Sequence, residues 1–394
     1  MSLAGAESAA ARRSAATTEG YYNLKLGLAS WRFGAGLGLE YNDNVTYENN
    51  IKEGDFIFRP NLTTQMLLPV SDQNSINLNV GAGYSAYVEH TELSQFYVAP
   101  GSELAFDIYV GDFWINLHDR FSISQQGYQD PTVAATGDFA SLENAAGVSG
   151  LWDLNQANLR LNYDHANYCS LAEEETAAQP DRASEGLSAA FGYEPKAEME
   201  AGIEAGGSFV EYEEGGEAWL GYTSAVQWNL GGFYRARMSD YIRLRASAGY
   251  TVFSPDTVSD QALGGESDLS GVYADLQVRH VVNQYVDYTL SGGRNISYAF
   301  FGGTADVYFA RWSANWKLLQ KITLTTSVDY RAGTQYEASL VEDFQQIGGG
   351  IALRRGITEK LSASLSYGYY VRDSDLPERS YGVNIVSLNF NYAF

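Results

Sequence analysis

The chain has 394 residues, of which 14% are aromatic and 40 are glycine, and its formal net charge is −23. This acidity argues against a nucleic-acid partner, because nucleic-acid phosphates need a basic surface. The single cysteine, Cys169, excludes an internal disulfide framework, and the absence of a run of about 18 apolar residues excludes a transmembrane helix, so a membrane-spanning form would have to be a closed β-sheet.

Residues 1–20 are rich in alanine and polar side chains. We expect this segment to be disordered or to form a short helix. It does not combine a charged start with an apolar stretch, as a secretory signal would. Because export requires such a signal, we expect the sequence to be a mature or recombinant form.

From about residue 31 onward, apolar and polar residues alternate in stretches of ten or more, which is the period of a strand with two different faces. In the last stretch Val386, Leu388 and Phe390 alternate with Ser387 and Asn389. The segments of this kind are 31–44, 55–68, 75–88, 96–110, 113–124, 143–152, 157–166, 185–193, 197–211, 219–237, 241–253, 270–280, 285–296, 304–316, 321–331, 343–354, 360–370 and 381–394. They number eighteen, an even count as in bacterial single-chain barrels, and sixteen if 143–152 and 185–193 are not strands.

The connections between these segments alternate in length. Short ones such as Gly111–Asp112 alternate with long ones, which include 125–142, 167–184, 254–269, 332–342 and 371–380. Short periplasmic turns and long extracellular loops are typical of an outer-membrane barrel. We therefore predict an all-β, transmembrane, antiparallel up-and-down barrel over residues 21–394, with both termini and residues 1–20 in the periplasm.

Three short motifs resemble known envelope proteins. The ending Phe390, Tyr392, Phe394 is similar to the C-terminal signal that the barrel-assembly machinery recognises, and Gly36–Tyr47 and Ser239–Tyr250 resemble the β-barrel porin 2 group of outer-membrane proteins. The resemblance implies an outer-membrane barrel in contact with lipid and lipopolysaccharide. Members of that group are often linked to envelope or exopolysaccharide systems, which implies a polysaccharide partner.

The strand faces predicted to be polar carry an uneven set of charges. Arg235, Arg237, Arg243 and Arg245 flank the predicted turn 238–240 and share the parity of the polar face. Together with Arg279, Arg311, Arg354, Arg160 and Arg59, they would form a basic belt near the short turns. Three acidic residues, Glu198, Glu200 and Glu204, share the polar face on the neighbouring segment. They predict either a cross-strand salt ladder that braces the wall or a charged constriction that selects solutes.

Signals for an enzyme are poor. The four histidines, His90, His118, His165 and His280, have no metal-ligand spacing, so we expect no metal or cofactor. A histidine on a barrel wall is typically interfacial, and Cys169 falls in a predicted long loop. His118–Asp119–Arg120 lies within a strand, where neighbours face opposite ways. Asp119 then falls on the apolar face, which predicts a bulge or a register error.

Three functions remain open at this point. The first is a passive or gated channel for polar solutes, since an eighteen-stranded barrel is wide enough for an aqueous lumen. The second is secretion of an exopolysaccharide, which rests on the resemblance and the basic belt. The third is an outer-membrane enzyme, which no residue of the sequence supports. Whether the chain is a monomer or a trimer, and whether a loop or the N-terminal segment fills the lumen, stays open as well.

Overall fold

The computed structural model describes residues 22–124, 132–134, 140–171, 181–213, 222–257, 268–299, 303–337 and 340–394, without the side chains of Thr257, Ser297 and Glu337. Eighteen antiparallel strands of these residues form one closed sheet, in which every strand pairs with its neighbours in the chain and the last strand pairs with the first. The prediction of an eighteen-stranded up-and-down barrel is confirmed. Both doubtful segments, 143–152 and 185–193, lie in strands.

The barrel strands are β1 (Ala29–Asn42), β2 (Asp55–Pro69), β3 (Ser75–Tyr87), β4 (Gln95–Val110), β5 (Phe113–Ser124), β6 (Ser141–Asp153), β7 (Ala157–Ser170), β8 (Arg182–Lys196), β9 (Met199–Tyr212), β10 (Tyr222–Arg237), β11 (Ile242–Thr257), β12 (Leu269–Asn283), β13 (Val286–Tyr298), β14 (Thr304–Leu319), β15 (Ile322–Glu337), β16 (Leu340–Gly356), β17 (Leu361–Ser374) and β18 (Tyr381–Ala393). Two 3₁₀ turns, Thr91–Leu93 and Pro377–Arg379, lie in connections. Among the described residues, no helix has the length and hydropathy needed to cross a membrane.

Alternation along each strand separates an outward face from a lumen face. On β16, the outward Val341 and Ile347 are 39% and 53% exposed, whereas the inward Glu342 and Gln346 are 1% and 2% exposed. A period of two places alternate side chains on opposite faces of a sheet. The apolar side chains therefore form the outer surface of the barrel, and the polar ones line its lumen.

Eight short turns and both ends of the closed sheet lie at one rim, which we call the short-turn end. The opposite rim, the long-loop end, carries the other connections. Two predictions were wrong there. The predicted loop 332–342 is largely strand, because β15 and β16 stay paired up to Glu337 and Leu340, and Cys169 lies within β7. Beyond the apolar band both faces of a strand contact water, so apolar and polar residues no longer need to alternate there. The strands can therefore stay paired beyond the point at which the sequence pattern ends.

The first described residues and the C-terminal residue meet at the short-turn end. A short strand, Leu24–Leu26, pairs with the start of β1. The Asn23 side-chain amide donates to the carbonyl oxygens of Phe33, at 2.9 Å, and of Phe394, at 3.1 Å. Asn23 thus ties the β1–β18 seam. Residues 1–20 lie outside the described residues, so their predicted disorder or helix stays a prediction.

The C-terminal aromatic residues lie on the outward face of β18. Tyr392 and Phe394 are 43% and 49% exposed, and their rings meet edge to face with centroids 5.4 Å apart. Phe390 shares their parity and pairs with Ala363 of β17. All three are therefore accessible from outside the sheet, as a recognition signal for assembly must be.

Candidate functional site

The lumen wall of β10, β11 and β12 carries a row of arginines. Arg237 is the cross-strand partner of Arg243, which is in turn the partner of Arg279. One inward position deeper, Arg235 is opposite Arg245. Like charges directly opposite each other destabilise a sheet. These pairs therefore need compensating acids, or they serve a purpose other than stability.

Acidic side chains neutralise only part of the positive charge of this arginine row. Arg237 contacts Glu198 at 2.5 Å and Asp240 at 2.9 Å, while Arg279 lies 3.8 Å from Asp287. Within the described part of the chain, no carboxylate lies at ion-pair distance from Arg243. Arg243 thus stands between two arginines that have acidic partners, and it is the clearest source of positive potential at the short-turn end.

Glu200 is the acid that the arginine wall buries most. Its carboxylate lies 2.7 Å from Arg160 and 3.5 Å from Arg235, and it accepts a hydrogen bond from the Asn158 amide at 3.0 Å. Glu200 as a whole is 8% exposed to solvent. This geometry fits the salt ladder that the sequence predicted for β9 and β10. Glu198 belongs to the turn 197–198, where its φ is +64°, rather than to the strand.

Glu204 does not join the ladder. Its cross-strand partner on β10 is Gly231, not an arginine, and it accepts a hydrogen bond from the Tyr273 hydroxyl at 2.9 Å. Glu204 lies two inward positions beyond Glu200 along β9, and this distance separates it from Arg235 and Arg237.

The arginines are not confined to the rim. Strands tilt in a closed barrel, so the cross-strand rows climb relative to the barrel axis. Arg311 lies in the middle of β14, and its guanidinium contacts Asp329 at 2.6 Å. Arg331 approaches the same carboxylate at 2.7 Å. The predicted low belt is therefore wrong for Arg311, and also for Arg59, which lies nearer the long-loop end of β2. The other basic residues follow a rising path from β10 to β15.

The opposite wall of the lumen is mostly uncharged. Inward positions of β2, β17 and β18 carry amides and hydroxyls. They are Asn61, Thr63, Ser362, Ser364, Asn389 and Asn391. A cavity of about 480 Å³ lies against this wall at the short-turn end, with Arg354 and Arg32 also on its surface. The amides and hydroxyls of this wall offer hydrogen bonds to a polar solute.

A segment of the β5–β6 connection enters the lumen. Thr132, Val133 and Ala134 are 3%, 1% and 3% exposed. Val133 and Ala134 pack in a cluster with Tyr381 and Val383 of β18. Tyr381 and Val383 are on the inward face of β18, so these three residues lie inside the barrel. The segment narrows the lumen near the long-loop end. The sequence alone did not decide whether a loop enters the lumen.

The outer end of β13 bends inward as well. Pairing of β12 with β13 stops at Ala274 and Arg294. Beyond that point Ile296 packs with Tyr222 and Phe253 inside the barrel, and the Tyr298 hydroxyl lies 3.5 Å from the Ser208 hydroxyl of β9. Two segments therefore restrict the lumen near the long-loop end.

His118 belongs to a polar network on the lumen wall rather than to the membrane interface, so its interpretation as interfacial was wrong. Its Nε2 lies 2.8 Å from Asp164 and its Nδ1 lies 2.9 Å from Asn116. Arg120 contacts Glu103 at 3.2 Å. Each polar group meets a fixed partner, so the network braces the wall.

Comparison with known proteins bears on the fold. No protein-family model matches the sequence, and no curated protein sequence matches it, so the resemblance to the β-barrel porin 2 group stays a prediction. Pseudomonas aeruginosa OccK2 (OpdF) in complex with glucuronate is similar in structure, with a TM-score of 0.51, 10% identity, and coverage of 92% of this chain and 98% of that chain. The outer membrane protein OpdK from Pseudomonas aeruginosa has a TM-score of 0.50 at 10% identity, with 93% and 99% covered. The chain shares the fold of these outer-membrane barrels.

Proposed function

We propose that this chain is an outer-membrane channel that passes small polar solutes and prefers anions. The observation that carries the proposal is the row Arg237, Arg243, Arg279, in which Arg243 meets no carboxylate of the described chain. Charges act more strongly in a confined space with low-dielectric walls than in bulk water. A guanidinium can also form paired hydrogen bonds with a carboxylate.

The two walls together suit one kind of solute. The anionic group of such a solute would move along the arginines of β10 to β15. Its hydroxyls would form hydrogen bonds with the amides and hydroxyls on the wall of β17, β18 and β2. The glucuronate bound to the structurally similar OccK2 has this chemistry. In the membrane, the short-turn end would face the periplasm, as in bacterial barrels generally, and the outward surface would contact lipid and lipopolysaccharide.

The narrowed upper lumen favours small solutes over a polymer. Thr132–Ala134 and the inner part of β13 occupy space that an exopolysaccharide chain would have to cross. Secretion of a polymer would therefore require these buried segments to leave their packing. The polar networks described here also hold no activated nucleophile, so we do not propose an enzyme.

Planar-bilayer recording tests the proposal. The purified protein is inserted into a bilayer, and its reversal potential is measured across a KCl gradient. We expect open channels with chloride preference, and partial block by glucuronate that uncharged glucose does not produce. Absence of conductance, or preference for potassium, would overturn the proposed function.

A further inference from the structure

Strand pairing in the barrel wall stops early between β12 and β13, near the long-loop end. Ala274 and Arg294 form the last pair between these strands. Beyond it, β12 stays paired with β11 as far as Leu269, and β13 stays paired with β14 as far as Tyr298. By contrast, β5 and β6 pair without a register shift through Asp119, so the bulge or register error that the sequence suggested there was wrong. The wall is therefore split between β12 and β13, although each strand keeps its other partner.

The part of the wall beyond this split folds into the lumen. It consists of residues 295–299 and 303–307, which we call the inner flap. The register with β14 gives Ile296 and Tyr298 outward parity. Nevertheless Ile296 packs in one cluster with the inward Phe253 of β11, and the Tyr298 ring meets the Phe253 ring edge to face, with centroids 6.0 Å apart. The outer face of the inner flap thus lies on the inner face of the opposite wall.

The wall that receives the inner flap carries a matching apolar surface. Deeper inward positions of β9 to β11 hold arginine and glutamate, but those near the flap are apolar or aromatic. They are Val210, Tyr212, Phe253 and Leu269. Two polar contacts lie at the same place. The Gln227 amide donates to the carbonyl oxygen of Ile296 at 3.2 Å, and the Tyr222 hydroxyl lies 3.4 Å from the Thr304 hydroxyl. The bent position is therefore a specific packed arrangement.

The inner flap also fits a second position, in line with the wall. If the register of the last pair between β12 and β13 continued, Ile296 would lie opposite Val272. Its side chain would then point outward beside Val272, which is 58% exposed. Apolar and aromatic side chains are favourable on the outer surface of a membrane barrel. Pairing would also satisfy backbone groups along the edge of β12, which are otherwise open to another strand.

Arg294 fills the split between the two strands. Its guanidinium donates to the carbonyl oxygen of Val272 at 2.9 Å and to the two carboxylate oxygens of Asp306 at 2.9 and 2.6 Å. A β-carbon on Gly271 would collide with this guanidinium, so the glycine leaves the room that Arg294 needs. Arg294 therefore occupies the place in which β13 would meet β12, and it stabilises the bent position.

Two glycines lie at the base of the inner flap. A β-carbon on Gly293 would collide with the backbone of Ala274 on β12, and one on Gly333 of β15 would collide with the backbone of Asp306. Glycine permits such close approach and has the widest range of backbone torsions. The strands can therefore bend here. The end of β15, which stays paired with the flap as far as Tyr336, can move with it.

We propose that the inner flap is a gate, which moves between the bent position in the lumen and a second position paired with β12. In the bent position it occupies space between the arginine wall and the long-loop end. In the paired position it would leave this space free and widen the path for solutes. Pairing would displace the Arg294 guanidinium from the Val272 carbonyl, so this contact opposes opening. The gating role rests on the proposed channel function, whereas the movement itself does not.

Disulfide trapping in lipid vesicles tests the movement. Val272→Cys and Ile296→Cys are combined in a Cys169→Ser background. The two side chains lie on opposite sides of the wall in the bent position and face each other only in the paired position, where directly opposite residues are close enough for a disulfide. The matched control is Val278→Cys with Leu290→Cys, which are partners in the paired part of the same strands. After mild oxidation, we expect peptide mass spectrometry to find a disulfide in both double variants.

Single-channel recording tests the gating role. We expect the oxidised Val272→Cys, Ile296→Cys protein to conduct more than its reduced form, with reversal by a reductant, while oxidation of the control pair leaves conductance unchanged. Ile296→Cys alone should conduct less than the oxidised pair. Adding Arg294→Gln should speed formation of the disulfide by about tenfold, the effect of losing one charge-assisted hydrogen bond.

Two results would overturn the gate. One is free thiols at positions 272 and 296 under conditions in which the control pair is oxidised, and the other is a disulfide there that leaves conductance unchanged. Heat-dependent gel mobility shows whether each variant is folded. If the first pair does not fold, Ser270→Cys with Tyr298→Cys, the next outward pair of the same register, takes its place. Absence of any conductance would overturn the proposed channel function, while the disulfide would still decide whether the inner flap reaches β12.

Discussion

Arg160 of β7 and Arg235 of β10 lie on either side of one carboxylate, that of Glu200, at 2.7 Å and 3.5 Å. Glu200 therefore does two things at once. It ties three strands together at the short-turn end, and it cancels part of the positive potential of the arginine wall. The remaining field arises from Arg243 and its neighbours, so selectivity depends on Glu200 as well as on the arginines, whereas the bracing of the three strands depends on the contacts of Glu200.

Replacing Glu200 separates these two effects. We expect Glu200→Gln to increase chloride preference, because two guanidinium groups lose a shared negative charge, and to lower the free energy of unfolding by about 1–3 kcal/mol. Reversal potential and urea-dependent unfolding measure the two effects. The control is Glu204→Gln, which also removes one negative charge from the lumen wall. The Glu204 carboxylate accepts a hydrogen bond from the Tyr273 hydroxyl. Equal stability loss in both variants would contradict a special bracing role for Glu200.

The four arginines around the turn 238–241 should set the sign of the field. Replacing Arg235, Arg237, Arg243 and Arg245 with serine should shift ion selectivity toward cations and weaken block by anionic sugars. The shift should shrink in 1 M salt, where the Debye length is about 3 Å. The control is Arg355→Ser, which changes an outward residue at the end of β16. Unchanged selectivity in a folded, conducting variant would mean that the arginines only brace the wall.

The inward segment of the β5–β6 connection should limit conductance. Val133 is 1% exposed in an apolar cluster, and a buried carboxylate without a partner is strongly unfavourable. Val133→Asp should therefore release the segment and raise single-channel conductance, whereas Val133→Ala keeps an apolar side chain and should change it less. If the two variants conduct alike, Val133 does not hold the narrowing segment in place.

His90 should link two outer connections in a pH-dependent way. Its Nε2 lies 3.0 Å from Glu53, and its Nδ1 lies 3.2 Å from Asp55. Burial alone would lower the pKa of His90, but hydrogen bonds to Glu53 and Asp55 outweigh burial and raise that pKa above its usual value. The stabilisation is thus complete below the unfolded-state pKa of about 6.5 and is lost as pH rises through the raised folded-state value.

Hydrogen-exchange protection factors over residues 88–94, which correct for the intrinsic effect of pH, measure this link. Protection should fall as pH increases through the His90 titration, and the fall should vanish in His90→Gln, which keeps hydrogen-bonding capacity without titrating. A pH profile that is the same in both proteins would show that His90 does not control the contact.

The outward aromatic residues of β18 should be needed for assembly in cells. Replacing Phe390, Tyr392 and Phe394 with serine should reduce the amount of folded protein in the outer membrane, measured by heat-dependent gel mobility of membrane fractions. The matched control is Asn391→Ser, which changes an inward neighbour on the same strand. Normal membrane levels of the triple variant would argue against recognition of this ending.

The sequence by itself determined the strands and their faces. A period of two assigns each side chain to one face of a sheet whatever its partners are, and this is why the inward position of Arg235, Arg243 and Glu200 could be read from alternation alone. Short turns such as Gly111–Asp112 were visible as well, because glycine or polar residues interrupt the period there. Neither inference needs information from a distant part of the chain.

Only the tertiary structure decided the register between strands, the height of each side chain along the barrel axis, and which segments occupy the lumen. A slip of two residues preserves every alternation, so the contact of Arg237 with Arg243, and of Arg243 with Arg279, depends on how the whole sheet closes. Closure also tilts the strands, which raises Arg311 to the middle of the wall. The burial of Val133 against Val383 joins residues far apart in the chain. These features are long-range, and a local period carries no information about them.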